Sequence, residues 1–324
     1  MSAPRISVVY TTAREDPAFH WFADGLARQL PDDADVEVLL VDSHCDAART
    51  ERFEAAVRGR FELRHVPPKP SPYQGPHRVT RRDFFSAASA RNGGIAYARA
   101  PYVVFADDCS VPMPGWWRGI ERAARHGHAV TGAFQRHWGM TVEDNLLVES
   151  RLEPDGLDGR WSGGDDARPV RVYGGQLYTP TFAAPREALL AVNGFDELCD
   201  TIGFEDCQLG IRMGYAGIDL HYDRSMTIVK SQDHNSRSRL VREDRVLPPD
   251  AYLERLAEFG VPARRTNGNF DSSQMLLDIV LGTESPATHG NYYWLADLTP
   301  GTFDRTRRRF PVRHWFDDVP LATL

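Results

Sequence analysis

The stretch Tyr102-Val-Val-Phe-Ala-Asp-Asp-Cys-Ser-Val-Pro-Met-Pro-Gly-Trp-Trp117 decides how this chain is read. Residues Tyr102 to Phe105 are β-branched or aromatic, the composition of a buried strand. The run ends on two adjacent carboxylates, Asp107 and Asp108, followed by a proline-rich turn and an aromatic pair. Like charges at the tip of a buried strand repel each other unless a cation or solvent compensates them. A hard divalent ion gripping a diphosphate would do so, because Mg²⁺ and Mn²⁺ prefer oxygen and commonly take only one or two protein ligands. A solvated strand-end turn is the alternative, since Asp favours turns.

Working outward, the first 135 residues alternate strands with amphipathic helices. Strands are expected at Ile6–Tyr10, Val36–Val41, Phe61–His65, Tyr102–Phe105 and Ala129–Phe134. Helices are expected at Pro17–Leu30, Ala47–Val57, Phe84–Ala98 and around Trp116–His126. This βαβαβ order predicts a mostly parallel sheet with helices on both faces. Ligands of such sheets bind at the carboxyl ends of the strands, where Thr11, Asp42 and Asp107 all fall. Two segments break the pattern. His65–Arg82 is rich in proline and in cations, Lys69 among them, and reads as a linker or a phosphate-contacting loop. Asn145–Arg168 is polar and glycine-containing and reads as a mobile surface loop or a lid. Beyond it, Val170–Ala184 reads as β, Arg186–Val192 and Glu205–Tyr215 as helices, and Ile218–Tyr222 and Thr227–Lys230 as two strands. Helical patterns recur near Tyr252–Phe259 and Ser272–Leu281.

The 324 residues, 42% hydrophobic, are enough for one large domain or two smaller ones. A net charge of −7 argues against a chain built wholly around nucleic acid. Two local basic tracts, His234–Arg242 and Arg305–Arg309, read as solvated faces or as contacts for an anion. Cys45, Cys109, Cys199 and Cys207 show no C-x-x-C spacing, which points to a reducing, cytoplasmic setting without a disulfide framework. No apolar run is long enough to span a bilayer, and the first residues carry no signal-peptide pattern.

A second chemical signal is Asn193-Gly-Phe-Asp-Glu197, followed by Gly203-Phe-Glu-Asp-Cys-Gln-Leu-Gly-Ile-Arg-Met213. Acids in a first helical turn favour the dipole, so a structural role is open to Glu205 and Asp206. A carboxylate there can also act as a general base toward a substrate hydroxyl.

The order of these motifs resembles glycosyltransferase family 2, inverting nucleotide-sugar transferases with the GT-A fold. Ile6-Ser-Val-Val-Tyr-Thr-Thr12 is similar to the family's first strand, and Val38-Leu-Leu-Val-Asp42 to its second. Ser89-Ala-Arg-Asn-Gly-Gly-Ile95 resembles its Arg-Asn helix, and Phe105-Ala-Asp-Asp108 its metal-binding acidic region. Asn193-Gly-Phe-Asp196 and Glu205-Asp206 resemble the acceptor-side and catalytic-base segments. The resemblance covers roughly residues 5–235. It implies an α/β, Rossmann-like GT-A domain over 1–240, with a nucleotide-sugar half (1–135) and an acceptor and catalytic half (136–240). A mainly helical extension over 241–324 would follow.

By the same resemblance, Asp42 would accept from the nucleotide base, with Thr11, Thr12 and Arg14 in the same crevice. Asp107 would face the ribose, or share the metal, and Asp108 would coordinate Mn²⁺ or Mg²⁺. Lys69 and Arg91 would meet phosphate oxygens. Asp206, beside Glu205, would deprotonate the acceptor, giving hexosyl transfer with inversion from a nucleoside-diphosphate sugar, with UDP favoured. His234 is a candidate third metal ligand and His221 its competitor. The chain departs from the family pattern at Cys109, Tyr10 and Ser43. Cys109 is a poor ligand for a hard cation, which is why Asp108 is chosen. Gly174 and Gly175 either mark a bend or approach the donor sugar. Trp116 and Trp117 read as core. Tyr178, Arg186 and the tract Arg237–Arg242 fall in the half expected to shape the acceptor site. That acceptor stays open between glycan, small metabolite, and hydroxylated nucleic acid or protein. The alternatives are a degenerate GT-A protein that binds glycan or nucleic acid without turnover, and a nucleotidyltransferase. The latter is disfavoured because Thr11-Thr-Ala-Arg-Glu-Asp16 has no glycine.

Overall fold

A computed structural model describes residues 5–68, 81, 85–143, 146–165, 167–195, 200 and 205–234. The expected extension over 241–324, the tract Arg237–Arg242 and Lys69 lie outside these residues, as does Asp196. Among the described residues no helix is long and apolar enough to cross a membrane.

Strands β1 (Ile6–Thr12) and β2 (Val36–Asp42) are buried along their whole length. Such continuous apolar runs suit parallel strands covered on both faces. They pair in parallel with each other, β2 with β3 (Glu62–Val66), and β1 with β4 (Tyr102–Asp107). Beyond β4 the sheet becomes mixed. β9 (Thr181–Pro185) runs antiparallel to β4 and to β6 (Ala129–Glu143), while β10 (Leu220–Ser231) runs parallel to β6. The order is β3-β2-β1-β4-β9-β6-β10-β5, with β5 spanning Ser110–Pro112. Alternate side chains point to opposite faces of the sheet. Val8, Tyr10 and Val104 therefore pack with Phe22, Phe53 and Trp116, under α1 (Phe19–Ala27), α2 (Ala47–Val57) and α4 (Trp116–His126). Val9 and Phe105 pack on the other face with Ile95, Leu190 and Leu209, under α3 (Ala87–Tyr97), α5 (Arg186–Ala191) and α6 (Glu205–Tyr215).

The small residues of α3 let it lie close on β1. A Cβ at Gly94 would sit 2.3 Å from Val9 Cγ1. Gly94→Ala is therefore expected to destabilise the protein by about 1–3 kcal/mol through overpacking. That outweighs a helix-propensity gain of about 1 kcal/mol. A urea midpoint at or above that of the parent would refute this close approach.

Three sequence expectations are corrected. The supposed loop Asn145–Arg168 contains a strand, β7 (Leu146–Leu157), paired antiparallel with an extended β6. The ribbon exposes much of both faces, so its sequence lacks the polar–apolar alternation of a half-buried strand. Val170–Ala184 is not one β segment. It divides into β8 (Val170–Val172), a 3-10 turn at Gly174–Gln176, and β9. The strands expected at Ile218–Tyr222 and Thr227–Lys230 are a single strand, β10, with an irregularity between Asp223 and Ile228 that hid its continuity.

Candidate active site at the carboxyl ends of the strands

β1, β2 and β4 end side by side, bringing Thr12 opposite Asp42 and Thr11 opposite Asp107. The chain then turns sharply at Cys109, a non-glycine residue with φ of 50°. The turn is held on three sides. The Cys109 N–H donates to the Pro17 carbonyl (3.0 Å) and the Tyr10 hydroxyl (3.1 Å), and the Cys109 carbonyl accepts from the Ser231 N–H (2.9 Å). Tyr10, which departs from the family pattern in the sequence, is thus a buried brace beneath the acidic pair.

The two carboxylates have different environments. Asp107 accepts from Arg91 Nη2 (3.0 Å) and from Lys230 Nζ. Burial opposes its charge, yet Lys230 and Arg91 together hold its carboxyl below the usual value. Asp108 receives Thr12 Oγ1 (2.7 Å) and Arg14 Nε (2.8 Å), both on Oδ2. Burial, with a contribution from the Asp107 charge, raises its pKa despite Arg14 and Thr12. Asp108 therefore remains the less fully compensated charge.

A cavity of about 250 Å³ opens here, lined by residues that include Arg14, Asp108, Phe134, Arg136, Lys230 and Gln232. Among the described residues no group of three His, Cys, Asp or Glu side chains converges as a metal cage. His234 instead bonds Ser231 Oγ through Nδ1 (2.8 Å) and lies edge-on to Trp21 (5.7 Å). A cation at this cleft would rest on Asp108, with Asp107 beside it, and would need further oxygens from a ligand. This donor set fits Mg²⁺ or Mn²⁺, which commonly keep only one or two carboxylates.

From Asp107 the charge network runs inward. Arg91, on α3, forks between Asp107 and Glu205, whose Oε1 lies 2.7 Å from Nη1. Its neighbour Asn92 clamps Phe195 from both sides, donating to the carbonyl (2.9 Å) and accepting from the N–H (2.8 Å). The Arg-Asn pair thus ties the Asn193-Gly-Phe segment and the start of α6 to β4. Asp206 accepts from the N–H groups of Cys207 (2.8 Å) and Thr179 (3.3 Å). The next residue, Pro180, accepts the Asp107 N–H (3.2 Å), so one short segment spans both acidic motifs. Burial, and then the neighbouring Glu205 charge, push the Asp206 carboxyl up to about 6.

Other expected residues occupy different settings. The Asp42 carboxylate is inaccessible and engaged by protein. It accepts from the His44 N–H (2.9 Å), Arg49 Nε (2.8 Å) and His65 Nε2 (3.0 Å), the donor against an ionised carboxylate. Burial opposes this charge, but these hydrogen bonds hold its pKa below the usual value. Arg49 also donates to the Arg14 and Glu15 carbonyls, fixing the loop from which Arg14 reaches Asp108. Arg186 is not at a cleft. It is buried and donates to the carbonyls of Ile95 and Ala96 at the end of α3. Gly174 meets the backbone of Gly210 on α6. His221 stacks on His128 (4.6 Å), and Trp116 is fully buried, donating to Thr181 Oγ1 (2.9 Å). Sequence reasoning missed Lys230, Arg49, His65 and Asp200, which accepts the Ala88 and Ser89 N–H groups at the start of α3. Lys230 alone carried a signal, as a cation at the end of an apolar strand.

The class defined by this architecture is a GT-A-like α/β fold, a mixed sheet flanked by helices. The S. aureus TarS 1-349 structure in complex with UDP aligns at a TM-score of 0.50 and 13% identity, over 85% of this chain and 70% of that one. TarS 1-349 in complex with UDP-GlcNAc aligns at 0.49 and 13%, over 79% and 66%. Against a longer S. aureus TarS structure the score is 0.48 at 14% identity, and the chain spans 43% of its length. No protein-family model and no curated protein matches the sequence.

Proposed function

We propose that the chain transfers a sugar, with inversion, from a nucleoside-diphosphate donor to an acceptor hydroxyl. A UDP-sugar is the favoured donor, in keeping with the UDP and UDP-GlcNAc complexes of TarS. The observation that carries this reading is the Asp206 carboxyl. Pushed up to about 6, it suits a general base near neutral pH, and its neighbour Glu205 pairs with Arg91, which also holds Asp107 at the end of β4.

Thr12 and Arg14 would line the nucleotide crevice, with Thr11 at the end of the same strand. Asp42 would act there chiefly by holding Arg49 and His44. Asp108, with Asp107 alongside, would hold Mn²⁺ or Mg²⁺. When bound, that ion would supply charge stabilisation to the departing diphosphate. Arg14, Lys230 and Arg136 line the same cavity and present cations to phosphate oxygens. Asp206 would take the acceptor proton, and Glu205, paired to Arg91, would keep the base from sharing that cation fully.

A thermal-shift screen of nucleotide sugars with and without Mn²⁺ tests donor and metal together. A ligand at a hundredfold excess over its Kd stabilises the folded form by about 2.7 kcal/mol. UDP-sugars should raise the melting temperature more with Mn²⁺, and Asp108→Asn should remove the metal-dependent part. If no nucleotide sugar shifts the transition, the donor assignment is lost. Release of UDP in the presence of an acceptor then separates an enzyme from a protein that binds without turnover.

A further inference from the structure

We propose that the outer edge of β7 is a homodimer interface, two copies pairing this strand antiparallel about a two-fold axis through Ser150. Among the described residues β7 pairs with β6 alone, and up to the irregularity at Asp155 its other edge presents backbone donors and acceptors with no strand beside them. Such an edge templates a further strand unless it is shortened, charged or covered. This one is uncovered among the described residues and mixes exposed apolar side chains with two exposed charges. Leu146, Val148, Leu152 and Leu157 are 41–54% exposed and make up four of the five exposed large hydrophobics among the described residues.

The side chains along the strand select the occupant. Glu149 and Arg151 are exposed and form no ion pair with any described residue, whereas Glu153 is paired with Arg136 inside the ribbon. An axis through Ser150 sets Glu149 opposite the partner subunit's Arg151, and the symmetry repeats that pair. It also sets Val148 opposite the partner subunit's Leu152. Moving the axis to Glu149 or Arg151 instead places like charges face to face, which is unfavourable for directly opposed residues. Pro154 has no N–H to donate, so pairing about Ser150 runs over 147–153. A C2 interface requires one patch that complements itself, and this strand carries such a pattern. Strand pairing alone buries little surface, so the association is weak and concentration-dependent.

Sedimentation velocity on the full chain, from micromolar into the millimolar range, tests the interface. The expected result is a reversible monomer–dimer equilibrium. Glu149→Arg and Arg151→Glu should each weaken it about tenfold or more, while the double variant, which restores opposite charges, recovers the parent affinity. Both positions are exposed, so unchanged melting temperatures should accompany the shifts. A chain that stays monomeric throughout overturns the proposal. So does association that neither single reversal weakens, or a double variant no tighter than the singles.

Discussion

Asp206→Asn is expected to abolish sugar transfer, by about 10²–10⁴-fold, while leaving nucleotide binding intact and the protein more heat-stable. The first effect follows from losing the proton acceptor. The second follows from the pKa displacement. A carboxyl held at about 6, above an ordinary 3.8, is harder to ionise in the folded chain than in the unfolded one. Its ionisation therefore costs stability, with the cost absent below about pH 4, growing up to about 6 and full above it. Asn carries no charge and escapes that cost, a gain on the order of 1 kcal/mol at pH 7 once solvent screening of this partly exposed residue is allowed for. The same displacement sets the sign of the rate profile. Activity of the parent should rise as pH climbs through about 6, because the base acts only when ionised. Transfer assays, nucleotide titration and melting curves on one variant read all three. An Asn variant that retains transfer would remove Asp206 from the base role.

Arg91→Ala is expected to be among the most destabilising single changes near the site. The guanidinium is buried and holds Asp107 and Glu205 at once. Its removal strips Glu205 of its cation and leaves Asp107 to Lys230 alone, a loss of about 3 kcal/mol. Burial opposes the Arg91 charge, yet Asp107, Glu205 and Asp206 raise its pKa strongly, so the residue is a cation across the whole working range. Arg91→Lys should recover part of the loss only, because an ammonium cannot reproduce a fork reaching two acids. Urea unfolding at pH 7 and pH 5 measures this. The deficit should shrink at pH 5, where the unpaired Glu205 carboxyl begins to take up a proton. A loss below about 1 kcal/mol at pH 7 would mean that the relay through Arg91 contributes little to holding α3, β4 and α6 together.

The legible parts of the chain share one physical cause. β1, β2 and β4 are buried on both faces, so each is a continuous apolar run that ends abruptly where the ligand end begins. Asp42, Asp107 and Asp108 stand out at those ends as charges that follow uninterrupted apolar runs. β7 was illegible because most of its side chains remain partly or fully exposed, so no alternation marks it. β10 looked like two strands because the bulge after Asp223 interrupts its pattern. Arg186 looked available to a ligand, since a sequence cannot show that the carbonyls at the end of α3 already engage it.

Local composition and spacing, then, determined the parallel half of the sheet, the strand ends at which Asp42 and Asp107 fall, and the acidic motifs at 107–108 and 205–206. Tertiary structure alone decided how those motifs meet. Lys230 reaches Asp107 from 123 positions along the chain, and Arg91 spans 114 positions to Glu205. Separations of that size leave no periodic trace in a sequence. Which carboxylate is compensated, and which is left strained toward neutrality, depends on cations that only the folded sheet brings within reach.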